Sequence, residues 1–166
     1  MKKMPMEKLA NIRLLALDFD GVLTDNRVLV NEKGEESVFC SRSDGYGISH
    51  VAKPAGIEVM VISLETNGVV EARCRKLGVE CLTGRKDKLA ALKSACAARG
   101  ISLVETCFVG NDATDIECIE KAGFGVCVAD AEPGLAGKAD YVTKKQGGKG
   151  AVREVCELLA DAKKEK

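Results

Sequence analysis

The chain lacks much of what several classes of protein are built from. It has no tryptophan, one histidine (His50), three prolines and only 4% aromatic residues among its 166. Its eight cysteines form no C-x-x-C pair, and none lies near His50 in sequence, which argues against a zinc centre. No leader accompanies them and the chain is long enough for a proper core, so they read as reduced, mostly buried thiols, not a disulfide framework. No apolar run approaches the ~20 residues of a membrane span. The opening MKKMPMEKLANIR has neither a continuous apolar segment nor a small-residue cleavage site, so it is not a signal peptide and a cytoplasmic protein is expected. Lysine and arginine total 25 against 25 acidic residues, so no excess of charge favours nucleic acid or a membrane surface as partner. There is no internal repeat or low-complexity tract, and residues 1–166 read as a single domain.

What is present is concentrated in one stretch, Leu14 to Asp25, reading LLALDFDGVLTD. A four-residue apolar run is too short for a helix and fits a strand buried on both faces. It ends in two carboxylates one residue apart, Asp18 and Asp20. In open α/β sheets ligands bind at that carboxyl edge. Two carboxylates so close repel each other, and a hard cation such as Mg²⁺ offsets that repulsion while leaving room for a phosphate. An aspartate beside such a metal can act as a nucleophile. A plain strand end followed by an Asp-Gly turn is the alternative for D-x-D-G alone.

The rest of the chain alternates strand-like and helix-like segments, which predicts a three-layer, Rossmann-like α/β domain with a mainly parallel sheet. Val28–Val30 and Ser37–Cys40 flank a turn at Gly34 and predict a β-hairpin over about 27–40, either a flap over the site or a plain surface hairpin. Asp44, Gly45 and Gly47 mark a loop, followed by a helix from Ile48 that Pro54 and Gly56 cut short. Ile57–Ser63 is a second buried strand, ending in a hydroxyl. Asn67 caps a helix from Gly68 to Leu77, stopped by Gly78. Arg73 and Lys76, three apart, share a face of it. Lys88 opens a helix stopped by Gly100. The strand at Thr106–Val109 runs into Gly110, Asn111, Asp112 and Asp115, again polar groups at a strand end. Gly147–Gly150 form a glycine loop before a last helix from Ala151.

The string D-F-D-G-V-L-T-D resembles the first motif of the haloacid dehalogenase-like phosphatases, in the form used by small capless sugar-phosphate phosphatases. Ser63, Asp87-Lys88-Leu89 and Gly110-Asn111-Asp112 with Asp115 follow in the order of that family's remaining motifs. The resemblance implies that Asp18 attacks phosphorus, that Asp20 is general acid and base, and that Ser63 and Lys88 stabilise the phosphoryl group. It implies Mg²⁺ as cofactor, held by Asp18, Asp20 and Asn111 or Asp112, with Asp115 in support. Asn111 stands where the family usually has an aspartate, a neutral oxygen in place of a charged one. The chain has Leu64 and Glu65 where octulosonate-phosphate phosphatases often have Gly-Arg. Glu65 with Arg73 and Lys76 is similar to the phosphatases of nine-carbon sugar acids and to the phosphatase-like domains of acylneuraminate cytidylyltransferases. By that resemblance these three residues bind the sugar acid, some from a neighbouring subunit of a homotetramer whose hairpins cover the sites. The substrate expected is therefore a nine-carbon acylneuraminate or deaminoneuraminate 9-phosphate. The eight-carbon 3-deoxy-octulosonate 8-phosphate is the runner-up, and a non-catalytic assembly module is the competing class.

Overall fold

The computed structural model describes residues 6–165. Strand β1 (Leu14–Leu17) is followed by a hairpin, β2 (Thr24–Val30) and β3 (Glu36–Cys40). Next come β4 (Glu58–Ile62), β5 (Glu80–Leu82), β6 (Thr106–Gly110), β7 (Phe124–Cys127) and β8 (Tyr141–Val142). The helices are α1 (Met6–Ala10), α2 (Arg42–Tyr46), α3 (Gly68–Leu77), α4 (Lys88–Arg99), α5 (Ile116–Lys121) and α6 (Ala151–Lys164). Among the described residues no helix is long and apolar enough to cross a membrane.

Six strands form one sheet in the order β5-β4-β1-β6-β7-β8, every pairing parallel. The chain leaves β1 towards β4 and β5, then returns to the other side of β1 to lay down β6. β1 is thus the point where the strand order reverses, and the crevice at its carboxyl end is where such sheets bind ligands. All four β1 residues are buried, and they alternate between two cores. Leu15 and Leu17 join a cluster containing α1, α3 and α6, while Leu14 and Ala16 join one containing α4 and α5. An apolar strand with no polar face is what a sheet covered on both sides requires.

Helix ends follow their caps. Asn67 accepts the Val69 N–H at 3.1 Å to start α3, Asp87 accepts that of Ala90 at 2.8 Å to start α4, and Gly78 and Gly100 close the two helices in left-handed conformation. The segment around Asp44 differs from the loop expected. Ser41 caps α2, which begins at Arg42 and runs through Asp44 and Gly45 into a π-helical turn over Gly47–Ala52. The Asp-Gly-x-Gly pattern is helical here, started by the Ser41 cap, and the Asp44 carboxylate is bonded to backbone far along the chain. His50 is exposed and stacks on Tyr46 at 4.7 Å.

The hairpin stands beside the main sheet as a separate two-stranded unit, tied to α3 where the Asn67 amide donates to Glu36 at 2.7 Å. Leu29 and Phe39 are each 68% exposed. They share a face, since Leu29 pairs with Ser37 and Phe39 lies two residues on. All eight cysteines are free, and burial pushes Cys74, Cys118 and Cys156 up to about 12, which keeps these thiols protonated.

Candidate active site

Three adjacent strand ends and one helix start converge. Asp18 continues β1, its N–H donating to the Val109 carbonyl at 3.0 Å, so it sits in the β1–β6 ladder with its side chain at the crevice. Lys88, the first residue of α4, reaches the same point. Its ammonium donates to Asp18 Oδ1 and to Asp115 Oδ1, both at 2.7 Å. All three residues are buried, Lys88 at 3%, Asp18 at 6% and Asp115 at 0% exposure. The second oxygen of Asp115 accepts the backbone N–H groups of Asn111 at 2.9 Å and Asp112 at 3.2 Å, which shapes the loop after β6. One carboxylate therefore orients both the lysine and the loop.

Burial and the charge of Asp115 push the Asp18 carboxyl above its usual range, against the pull of Lys88. Burial works against the Lys88 ammonium, but the two carboxylates outweigh it and hold its pKa above the usual lysine value. The short bonds are those of a charge-assisted pair, with Lys88 as a cation. Asp20, half-buried, is also raised, first by burial and then by the Glu65 carboxylate. A carboxyl raised in this way is suited to giving up a proton during reaction.

Ser63 is buried at the end of β4, its own N–H donating to the Leu82 carbonyl and its hydroxyl accepting the Glu65 N–H at 3.1 Å. A cleft of ≈ 170 Å³ is lined by Asp18, Asp20, Ser63, Lys88, Asn111 and Asp112, together with Glu65. A second cleft of ≈ 230 Å³, between the hairpin and the start of α3, shares Asp20 and Glu65 with it. Asn26 lines both clefts and had no part in the sequence reading. Its signal is weak: an Asn two residues past the D-x-D-G-x-x-T string, at a left-handed φ of 64° that Asn tolerates better than most residues.

Two of the three expected sugar-binding residues lie elsewhere. Arg73 donates from Nη2 to the Ser41 carbonyl at 3.0 Å, beneath α2, and lines neither cleft. Lys76 is exposed in the last turn of α3, roughly 12 Å along the helix axis from Gly68. Only Glu65 faces the clefts within the protomer.

The donor set suits a hard cation. Among the described residues no three His, Cys, Asp or Glu side chains gather as a metal cluster. Beside Asp18 and Asp20, however, stands an amide. Asn111 Oδ1 is buried and has no hydrogen-bond partner, a costly state for a carbonyl unless something accepts its lone pairs. Two aspartates and an amide oxygen at one crevice offer the oxygen-only donors that Mg²⁺ takes.

A family model for haloacid dehalogenase-like hydrolases matches residues 75–155, and the chain belongs to that family. Its relatives are phosphatases. The 3-deoxy-D-manno-octulosonate 8-phosphate phosphatase KdsC of Escherichia coli (strain B / BL21-DE3) is 44% identical over 155 residues, 93% of this chain and 82% of that protein. The 3-deoxy-D-manno-octulosonate 8-phosphate phosphatase from Moraxella catarrhalis, in complex with magnesium ion, phosphate ion and KDO, matches with a TM-score of 0.92 at 35% identity, covering 96% of this chain and 92% of that one. The cobalt-bound deoxy-D-mannose-octulosonate 8-phosphate phosphatase from Haemophilus influenzae matches with a TM-score of 0.90 at 30% identity, over 95% and 92% of the two chains.

Removing the buried ammonium leaves Asp18 and Asp115 facing each other unpaired. Lys88→Met is expected to lower unfolding free energy by about 3–5 kcal/mol in urea titrations of the metal-free protein. A variant as stable as the parent would show that Lys88 is not what holds the two carboxylates together.

Proposed function

We propose that the protein is a Mg²⁺-dependent phosphatase of 3-deoxy-D-manno-octulosonate 8-phosphate. The observation that carries this reading is the single cleft in which Asp18, fixed by Lys88, meets Asp20 and the unpartnered oxygen of Asn111. Two considerations favour the eight-carbon substrate over the nine-carbon one expected from sequence. The relatives act, by name, on the octulosonate ester. The nine-carbon reading leaned on Glu65, Arg73 and Lys76 together, and Arg73 and Lys76 line neither cleft of the protomer.

Asp18 is the nucleophile. A carboxylate oxygen attacks phosphorus in line while the bond to the sugar oxygen breaks, and Asp20 gives its proton to the departing alkoxide. Asp20, now ionised, takes a proton from water, which attacks the same phosphorus and releases phosphate from Asp18. Lys88 and the Ser63 hydroxyl stand where they stabilise the phosphoryl oxygens, a role that depends on their being fixed beforehand. Asp18 and Asn111 would hold Mg²⁺ through side-chain oxygens and Asp20 through its backbone carbonyl, which leaves the Asp20 carboxyl free to carry its proton; the cation when bound would offset the charge between a phosphate dianion and the carboxylates. Asn111 is preferred to Asp112 as ligand because its oxygen is buried and without a partner, whereas Asp112 is exposed and its Oδ1 accepts the Ala113 N–H. Asp115 supports the site through Lys88 and the loop. A module that served assembly alone would gain nothing from burying a lysine between two carboxylates. The exposed Leu29 and Phe39 support a homotetramer in which hairpins meet other protomers.

Phosphate release in the presence of Mg²⁺ is expected from octulosonate 8-phosphate, with kcat/KM roughly 10-fold or more above that for an acylneuraminate 9-phosphate. Asp18→Asn should lower kcat by roughly 10³-fold or more. Preference for the nine-carbon ester would overturn the substrate, and turnover surviving in Asp18→Asn would overturn the nucleophile. Asn111→Asp adds a charged ligand and should tighten Mg²⁺ binding, read by calorimetry, by roughly tenfold; an unchanged Kd places Asn111 outside the coordination shell. Light scattering should return four chain masses for the parent and fewer for the Leu29→Lys, Phe39→Lys double variant. A monomeric parent would remove the tetramer.

A further inference from the structure

Asp44 and the glycine loop at 147–150 are far apart in sequence, Asp44 and Gly150 by 106 residues, and adjacent in space. α6 begins after Gly150, which sits at φ 104° and has no side chain to cap the helix. The first N–H groups of a helix need acceptors from elsewhere. Asp44 supplies them: Oδ2 accepts the Gly150 N–H at 3.2 Å and Oδ1 that of Arg153 at 2.9 Å. Asp44 is wholly buried.

The loop leading into that helix lies on the turn that carries the acid/base residue. The Gly148 N–H donates to the Val22 carbonyl at 2.9 Å. A Cβ on Gly147 would fall 1.8 Å from the Gly21 carbonyl oxygen, and one on Gly148 would fall 2.5 Å from the Asp25 nitrogen, so only glycine allows this approach. On its other side the same turn abuts the metal-site amide, since a Cβ on Gly21 would meet Asn111 Nδ2 at 2.0 Å. Inside it, Thr24 Oγ1 accepts the Gly21 and Asn26 N–H groups, both at 3.1 Å.

We propose that Asp44 is a positioning residue for the hydrolysis: by capping α6 it seats Gly147 and Gly148 against the Gly21–Asp25 turn and so fixes where Asp20 stands. The proposal rests on the phosphatase reading above. α6 keeps its hold on the core through Val152, Val155, Cys156 and Leu159, all fully buried. Loss of the cap therefore loosens the first turn and the loop before it without detaching the helix.

Asp44→Ala and Asp44→Asn are compared with Ser102→Ala, which removes a capping hydroxyl before β6, far from the cleft. With octulosonate 8-phosphate and Mg²⁺, Asp44→Ala should lower kcat roughly 10- to 100-fold, the scale of a misplaced catalytic group, with KM little changed. Asp44→Asn retains one acceptor oxygen and should fall between Asp44→Ala and the parent. Hydrogen exchange should speed up at the Leu23, Thr24 and Gly148 amides and not in β1, while Ser102→Ala shows neither effect. Parental kcat in Asp44→Ala, an equal kcat loss in Ser102→Ala, or unchanged exchange in the 21–25 turn would each overturn the proposal. Were the parent inactive on every ester, the phosphatase reading alone would fall, and the exchange measurement would still decide whether Asp44 holds the turn.

Discussion

A lysine ammonium buried between two carboxylates is the interaction on which the site depends. Taking three charges out of water costs several kcal/mol for each, and only close, well-directed hydrogen bonds offset that. Here the geometry meets the requirement, with both Lys88 bonds at 2.7 Å and the remaining Asp115 oxygen taken up by backbone N–H groups. The three residues come from the end of β1, the start of α4 and the loop after β6, so one triad locks three elements at a single point. The triad also leaves a deficit of positive charge. With Asp20 and Glu65 beside it, the cleft holds more carboxylates than cations. A phosphate dianion would be repelled from such a cleft, and a divalent cation reverses the balance. The unpartnered Asn111 oxygen and the surplus negative charge are thus two independent indications of the same cation.

Most of the fold could be read from the chain because its signals are local. Asn67 with Gly78, and Lys88 with Gly100, mark two helices whose ends the structure places at the same residues. LLAL followed by two aspartates marked a doubly buried strand and its carboxyl edge. The convergence of Asp18, Ser63, Lys88 and Asn111 is not local, and spacing alone carried no sign of it. It became legible only through the order of the motifs. Lys88 in particular has no feature of its own that separates it from Lys86.

What escaped the sequence reading has one physical origin: the decisive partner is distant. Asp44 stands in a string rich in glycine and reads as a loop, yet it is helical, started by the Ser41 cap and with its carboxylate engaged by N–H groups 106 and 109 residues away. Arg73 and Lys76 share a helix face as their spacing requires, but spacing does not say which way that face looks. Arg73 is directed under α2 to the Ser41 carbonyl. A helix face is therefore a weaker guide to substrate length than a strand end, because a sheet edge has a known direction and a helix face does not.

The same contrast accounts for how the site is kept in shape. Asp18 sits in the β1–β6 ladder and inherits the stiffness of the sheet. Asp20 lies two residues on, beyond the last β1 pairing, in a turn closed by the Phe19 carbonyl, which accepts the N–H groups of Val22, Leu23 and Thr24. Its position is set by what surrounds the turn: Thr24 from within, Asn111 packed against Gly21, and Gly147 and Gly148 from outside. A nucleophile needs a fixed direction of attack, whereas an acid/base must serve the leaving oxygen first and a water later. A carboxylate clamped by packing on three sides, and not by the sheet, can meet both demands only while each clamp holds. On the proposed mechanism the cap at the start of α6 serves the chemistry as well as the fold, because the outer clamp is anchored there.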